Sequence, residues 1–241
     1  MRLSIIIMYK AEDEPFLDEL YISLPKFDDY EYIFAMTKKI EGAEGYETKE
    51  TEIDVKNNRS VVLSWGGKTF DFSQARNAIK ELSEADYILY LDADERLIPH
   101  QYNIIKETMD YLDKNDNIWA AKSRNVSISR DYTVSNGYNV TAGEQVKLFK
   151  NKKEIMYIGK IHENVSHSIN NNHKMVLDTP LLISHIGYDA DIDTMIKKYE
   201  RNITGLILQG KLTIENNSFY NVLKRDMLNL DKLLEIKKGI K

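Results

Sequence analysis

A nearly continuous apolar run at residues 3–9, Leu-Ser-Ile-Ile-Ile-Met-Tyr, constrains the fold of this chain more than any other feature. Such a run is typical of a strand that is buried on both faces, as in a parallel sheet covered by helices. A second apolar run at residues 86–91 follows a segment in which apolar residues repeat at helical spacing. Because strands alternate with helices, we expect an α/β fold with a mixed, mostly parallel sheet flanked by helices.

The remaining elements are predicted from the same periodicities and from turn residues. Residues 37–58 are polar, and we expect them to be irregular. Asp71 or Ser73 is expected to cap the helix that opens at Phe72. The predicted elements are a helix from Pro15, strands at 30–36 and 60–64, a helix from Pro99, strands at 118–129, 132–140, 145–149 and 181–186, and two C-terminal helices at 192–208 and 218–236.

Composition excludes several classes of function. The chain has no cysteine, which excludes a disulfide framework, a thiolate metal site and a cysteine nucleophile. Its net charge of −5 gives no global attraction to nucleic acid, although a local basic patch stays open. We see neither a signal peptide nor a run of roughly 20 apolar residues that would span a bilayer. A cytoplasmic protein is therefore expected.

Two aspartates, Asp92 and Asp94, directly follow the apolar strand at 86–91. Open parallel sheets bind ligands in the crevice beyond the carboxyl ends of their strands, so both carboxylates are expected there. Hard oxygen ligands of this kind suit Mg²⁺ or Mn²⁺, held by few protein ligands plus substrate phosphates. The other interpretation is a strand-end turn, where aspartate is favoured for its local hydrogen bonds.

The sequence Phe-Ser-Gln-Ala-Arg-Asn stands at residues 72–77, and the strand at 87–91 closes on Asp-Ala-Asp-Glu at 92–95. With these motifs the chain resembles family 2 glycosyltransferases of the GT-A fold. In that family Phe-Ser-x-Ala-Arg-Asn opens a helix and a strand closes on Asp-Ala-Asp-Glu. Later motifs are similar to a subgroup that includes sublancin-type peptide S-glycosyltransferases and lipopolysaccharide glucosyltransferases. The matching stretches are residues 71–77 and 87–95, with Trp65 before them, and residues 146–151, 159–163 and 185–188 after them.

The resemblance implies roles for four residues of the donor half. Asp94 is expected to bind the metal, and Asp92 to contact the ribose or the metal. Arg76 is expected to contact the diphosphate or the base, since its planar fork pairs with phosphate. Glu163 is expected to be the catalytic base that deprotonates the acceptor. The alternatives are a helix-surface ion pair for Arg76 and a solvent-facing turn carboxylate for Glu163.

Further candidates lie at the other strand ends. His185 ends a buried strand and is a candidate metal ligand, although a structural role is the commoner one for such a histidine. His162 is expected to orient Glu163 or to contact the donor. Asp189 and Asp191 are weaker candidates for the base.

The sequence departs from the family pattern at the second strand. Family members carry an aspartate at its end that binds the nucleobase, and residues 33–39 contain no acid. Tyr9 and Asp13, after the first strand, are expected to bind the nucleotide, with Glu14 as the alternative to Asp13; otherwise the nucleotide preference is altered. The acids at 13 and 14 also fit the positive end of a helix dipole. A UDP-sugar is the default donor.

The resemblance thus implies a metal-dependent inverting glycosyltransferase that uses a nucleoside-diphosphate sugar and Mn²⁺ or Mg²⁺. We expect one catalytic domain at residues 1–190, with a nucleotide-sugar half at about 1–98 and an acceptor half at about 99–190. Residues 191–241 form a helical C-terminal extension, either packed as core or offering a homodimer face. The acceptor is a peptide, a lipid-linked glycan, a surface polymer or modified nucleic acid. The rival functions are a sugar-phosphate nucleotidyltransferase and a non-catalytic nucleotide-binding scaffold.

Overall fold

The computed structural model describes residues 2–25, 29–41, 46–54, 58–66, 70–98, 100–131, 137–160, 162–188, 191–210 and 217–239. None of the helices in these ranges combines the length and hydropathy that crossing a membrane requires. A single 3-10 turn, Ala11–Asp13, follows the first strand. The elements are β1 (Leu3–Lys10), α1 (Glu14–Ser23), β2 (Tyr30–Lys39), β3 (Tyr46–Asp54), β4 (Asn58–Trp65), α2 (Phe72–Lys80), β5 (Tyr87–Asp92), β6 (Glu95–Leu97), α3 (Gln101–Asp113), β7 (Ile118–Asp131), β8 (Gly137–Lys150), α4 (Ser166–Asn171), β9 (Met175–Tyr188), α5 (Ile192–Gly210) and α6 (Asn217–Lys237).

The described strands form one nine-stranded sheet in the order β3-β4-β2-β1-β5-β8-β7-β9-β6. Strands β4, β2, β1 and β5 are neighbours and run parallel. Beyond β5 the sheet is mixed, because β8 is antiparallel to β5 and β7 while β7 and β9 run parallel. The predicted mixed α/β fold flanked by helices is confirmed. Parallel pairing dominates only among β4, β2, β1 and β5, all of which lie within the first 98 residues.

Two hydrophobic clusters pack on opposite faces of the sheet. Ile5 and Ile7 belong to one cluster with residues of α1 and α3, whereas Ile6 and Met8 belong to the other with residues of α2 and α4. Successive side chains of a strand point to opposite faces, so an apolar residue at every position requires cover on both sides. The prediction that the first strand is buried on both faces is confirmed.

The prediction of an irregular segment at 37–58 was wrong in part. Strand β2 continues to Lys39, and Tyr46–Asp54 forms β3, which pairs antiparallel with β4 at the edge of the sheet. An edge strand needs apolar residues on few positions and is often charged, so its Glu, Lys and Thr residues resembled a loop. Residues 42–45 and 55–57 lie outside the described residues.

The structure has one strand, β8, where two strands were predicted at 132–140 and 145–149. Gly137–Lys150 is continuous and pairs antiparallel with β7 along its whole length. The Thr-Ala-Gly-Glu stretch at 141–144 has the composition of a turn, but hydrogen bonds to β7 keep it extended. Strand β9 also begins earlier than predicted, at Met175. Residues 132–136 and Pro99, the predicted start of α3, lie outside the described residues.

The two predicted C-terminal helices are confirmed as α5 and α6. They pack on each other through a small cluster that includes Met195, Ile196 and Leu233. Part of their apolar surface is therefore satisfied within one chain, and a dimer through these helices stays a prediction.

Leu89→Ala in β5 is expected to lower the free energy of unfolding by about 2–5 kcal/mol, because the side chain is fully buried and leaves a cavity. Urea unfolding followed by circular dichroism measures the loss. The matched control is Leu228→Ala on α6, where the side chain is 52% exposed and the change should stay within about 0.5 kcal/mol. Equal losses for both variants would contradict this placement of the core.

Candidate functional site

The sheet places Asp92 and Asp94 at the carboxyl edge of two adjacent parallel strands. Strands β1 and β5 pair in parallel with Met8 opposite Asp92, so both strands end at this edge. The chain turns after β5 and returns as β6, which pairs antiparallel with β9. In this register Glu95 lies opposite His185, and the Ile186 amide donates to the Asp94 carbonyl at 2.9 Å. The turn therefore brings Asp94 next to the end of β9.

Arg76 connects two carboxylates from distant parts of the chain. The Asp71 side chain caps α2 by accepting from the Gln74 amide at 3.0 Å, and Arg76 lies in the following turn. Its Nη2 donates to Asp92 Oδ1 at 2.7 Å, and its Nε donates to Glu163 Oε1 at 2.6 Å. The guanidinium lies over the Tyr90 ring, 4.4 Å from the centroid. Arginine suits this buried position because it keeps its charge and donates in several directions.

Lys147 is a second buried cation, and it projects from β8 between two acids. Its Nζ lies 3.2 Å from Asp92 Oδ2 and 2.8 Å from Glu95 Oε2. Glu95 also accepts from the Asn125 side chain at 2.8 Å and from the Asp92 amide at 2.9 Å. Burial lowers the pKa of Lys147, but Asp92 and Glu95 outweigh it and the pKa is raised. Burial opposes ionisation of Asp92 too, yet Arg76 and Lys147 hold its pKa well below the ordinary value.

Asp94 and His185 form a separate pair at the same edge. The distance from Asp94 Oδ2 to His185 Nε2 is 3.0 Å, and both side chains are partly exposed. Ser127 Oγ lies 3.3 Å from the other ring nitrogen of His185. Burial raises the pKa of Asp94, but the hydrogen bond and charge of His185 bring it below the ordinary value. Burial lowers the pKa of His185, and the same pairing raises it overall. The pair thus holds a carboxylate and an imidazole side by side.

Asp94 and His185 were predicted to be metal ligands, and the structure places their side chains next to each other. Within the described part of the chain, no three His, Asp or Glu side chains converge to hold an ion by themselves. Mg²⁺ and related ions, however, commonly take one or two protein donors and complete their shell with water and phosphate oxygens. The 3.0 Å between Asp94 Oδ2 and His185 Nε2 is an ordinary hydrogen-bond distance, and metal binding by this pair stays a prediction.

Tyr9 and Asp13 lie where β1 ends and the chain turns towards α1. The Asp13 carboxylate accepts from the Lys10 amide at 2.9 Å and so braces the turn. The Tyr9 carbonyl accepts from Thr37 Oγ1 of β2 at 3.2 Å. The Tyr9 side chain is half-buried, and burial together with the charge of Glu14 raises its pKa. Contact of either residue with a nucleotide stays a prediction.

The remaining candidates are placed differently. Asp191 is exposed and caps α5 by accepting from the backbone and hydroxyl of Thr194, at 2.9 and 2.6 Å. Asp189 lies outside the described residues. His162 contacts Asp226 of α6, with 3.3 Å between its Nε2 and Asp226 Oδ2.

Sequence reasoning missed Glu95, Asn125, Lys147 and Lys198 as members of this cluster. A lysine inside the apolar stretch at 146–149 of a predicted strand indicates a buried charge with a partner, so Lys147 could have been found. Lys198 lies on α5, and its charge acts on both motif aspartates while burial lowers its pKa. Nothing in the sequence brings Lys198 near the two aspartates, so this residue could be found only from the tertiary structure.

Comparisons with known proteins show a distant likeness of fold. No protein-family model matches the sequence, and no curated protein matches it. The crystal structure of S. aureus TarS 1-349 is similar with a TM-score of 0.48 and 12% identity, covering 100% of this chain and 73% of that one. TarS 1-349 in complex with UDP-GlcNAc gives the same score and identity over 74% of its length. S. aureus TarS gives 0.43, with 95% of this chain and 43% of that chain covered. At this similarity the site residues must be judged on their own chemistry.

Lys147→Met is expected to lower the free energy of unfolding by about 3–5 kcal/mol, because it leaves the buried Glu95 carboxylate without its cation and takes one of two cations from Asp92. Urea unfolding at neutral pH measures the loss. The control is Lys122→Met on β7, whose Nζ pairs with Glu144 and Asp178 in solvent, and this variant should be nearly as stable as the wild type. A Lys147 variant as stable as the Lys122 variant would contradict the buried network.

Proposed function

We propose that this protein is a nucleotide-sugar-dependent glycosyltransferase of the family 2, GT-A type. The observation that carries the proposal is the convergence of Arg76, Asp92, Asp94, Glu163 and His185 at one edge of the sheet. These residues come from a helix, two strand ends and a loop that are up to 109 positions apart, Arg76 to His185. They are also the residues that the sequence motifs assign to donor binding and catalysis.

The Asp94–His185 pair is proposed as the metal site. These two side chains would hold Mn²⁺ or Mg²⁺, which would supply charge neutralisation for the departing diphosphate. Asp92 is proposed to contact the ribose or to join the metal shell. Lys198 of α5 adds positive charge on the same side, since it acts on both aspartates. A site of this composition favours a phosphorylated leaving group over a neutral one.

Glu163 is proposed as the base of a direct displacement with inversion. The acceptor group loses its proton to the Glu163 carboxylate as its lone pair attacks the anomeric carbon, and the bond to the diphosphate oxygen breaks. Arg76 holds Glu163 and Asp92 at once, so the base and the donor-binding strand end are fixed relative to each other. Fixed geometry of both reactants supplies much of the acceleration in such reactions. Arg76 stays a proposed diphosphate or base contact as well.

The donor, the acceptor, the location and the oligomeric state are proposed as the sequence predicts them. A UDP-sugar is the default donor, with Tyr9 and Asp13 at the nucleotide end. The acceptor is a peptide, a lipid-linked glycan, a surface polymer or nucleic acid, and a cytoplasmic location and a homodimer through α5 and α6 stay predictions.

The turn after β1, Lys-Ala-Glu-Asp-Glu, is acidic, which disfavours a nucleotidyltransferase because those enzymes carry a basic, glycine-rich loop there. A non-catalytic scaffold has no need of Arg76, Asp92, Asp94 and Glu163 together at one edge of the sheet.

Asp94→Ala is expected to weaken UDP binding in the presence of Mn²⁺ by about 10- to 100-fold, because the site loses one of its two metal donors. Isothermal titration with UDP, with and without Mn²⁺, measures the effect. Asp231→Ala on α6, where the aspartate is exposed, is the control and should bind as the wild type does. Wild-type binding that is unchanged by chelator would contradict metal assistance.

Glu163→Gln is expected to keep UDP binding while turnover falls by about 10²- to 10⁴-fold, since the amide cannot take the acceptor proton. A panel of nucleotide sugars, scored by released nucleoside diphosphate, measures turnover and identifies the donor. Glu144→Gln on β8, an exposed carboxylate, is the control and should leave turnover unchanged. Undiminished turnover in the Glu163 variant would assign the base to another residue.

A further inference from the structure

Asp226 is a buried carboxylate on a helix that otherwise faces solvent at this point. Its side chain is 1% exposed, while its neighbours Arg225, Met227 and Leu228 are exposed. Both of its oxygens are engaged. Arg225 donates to Oδ1 from Nε at 2.9 Å and from Nη2 at 2.8 Å, and Oδ2 lies 3.3 Å from His162 Nε2. A carboxylate accepts only, so the imidazole nitrogen is the donor here.

His162 needs such a partner because its backbone is strained. Its φ is +56°, in the left-handed region that residues other than glycine rarely occupy. A Cβ disfavours that conformation because it crowds the following carbonyl oxygen. Strained residues persist where surrounding contacts hold them, and they cluster at functional sites. The contact with Asp226 is the hydrogen bond that the structure shows for the His162 ring.

Hydrogen bonds also hold the segment that carries His162 against α2. Ile158 and Asn164 exchange backbone hydrogen bonds of 3.1 and 3.3 Å, which close the neck of the loop. The Phe72 amide at the start of α2 donates to the Lys160 carbonyl at 3.2 Å. Asn77 of α2 bonds the Tyr157 backbone through both its amide oxygen and nitrogen, at 2.8 and 3.0 Å. The loop is therefore held on one side by the helix that bears Arg76 and on the other by α6.

Glu163 directly follows the strained residue. Its Oε1 receives the Arg76 Nε hydrogen bond at 2.6 Å, and its side chain is only 9% exposed. The direction of the Glu163 side chain depends on the backbone at His162, because one left-handed residue redirects the chain that follows it. A relaxation of His162 to an ordinary φ would turn Glu163 away from Arg76.

We propose that Asp226 is a positioning residue that, through His162, holds the backbone of His162 and Glu163 in the conformation that presents Glu163 to the acceptor. This inference rests on the proposed function for the role of Glu163. It assigns the C-terminal helix α6 a part in the active site, although α6 lies more than 50 residues beyond the loop in sequence. The side chain acts through the loop and does not itself touch substrate.

Three variants test the proposal in the full-length chain. Asp226→Asn keeps the size of the side chain and removes its charge. His162→Asn keeps a residue type that tolerates the left-handed region but is too short to reach Asp226. Asp231→Asn, an exposed aspartate on the same helix, is the control. Because both test variants preserve shape or backbone preference, thermal unfolding should show folded proteins in each case.

The first measurement is hydrogen–deuterium exchange of the peptide that covers residues 158–164, which needs no substrate. We expect faster exchange there in Asp226→Asn and in His162→Asn, and unchanged exchange in Asp231→Asn. Wild-type protection of this peptide in Asp226→Asn would overturn the proposal, because it would show that the loop keeps its conformation without the charged contact.

The second measurement is release of nucleoside diphosphate from the best donor of the panel. We expect kcat to fall by about 10- to 100-fold in Asp226→Asn and His162→Asn, with the donor KM unchanged, as for a misplaced catalytic group. The double variant should lose no more than either single variant, since both break one contact. Wild-type kcat in Asp226→Asn, or additive losses, would overturn the positioning role. If the wild type releases diphosphate from no donor, the proposed function fails, and the exchange measurement alone decides whether Asp226 holds the loop.

Discussion

The site depends on the double contact of Arg76 with Asp92 and Glu163. The two hydrogen bonds, 2.7 and 2.6 Å, connect the end of β5 to a loop that lies about 70 residues further along the chain. Loss of the guanidinium would leave the buried Glu163 carboxylate without its cation, which is strongly destabilising, and Asp92 with Lys147 alone. The burial of Arg76 over Tyr90 is therefore inseparable from the geometry of the proposed base.

The sheet explains why the other pair forms. Antiparallel pairing of β6 with β9 sets Glu95 opposite His185 and brings Asp94 within 3.0 Å of the imidazole. A slip of one residue in this register would turn His185 to the opposite face of the sheet. The proposed metal donors are thus fixed by backbone pairing, whereas Asp92 and Glu163 are fixed by side-chain ion pairs. The two halves of the site rely on different interactions, and they meet at the turn after β5.

Much of this arrangement could be predicted from the sequence, and the reasons for the exceptions are physical. Continuous apolar runs predicted β1 and β5 correctly, since a strand that is buried on both faces needs an apolar residue at nearly every position. The edge strand β3 and residues 141–144 of β8 were missed because their sequences carry no alternating apolar pattern. The motifs predicted that Arg76, Asp92 and Glu163 belong to one site, and the structure brings them within hydrogen-bond distance. Asp226 could not be predicted, because a lone aspartate on a helix is usually solvated and only tertiary contacts reveal its burial.

The most direct test of the donor site is a crystal structure with UDP and Mn²⁺, with data collected at a wavelength where manganese scatters anomalously. We predict one strong anomalous peak between the Asp94 carboxylate and the His185 imidazole, with the diphosphate beside it and the ribose towards Asp92. A peak elsewhere, or a nucleotide bound away from the carboxyl edge of β1 and β5, would contradict the assignment of this edge as the donor site.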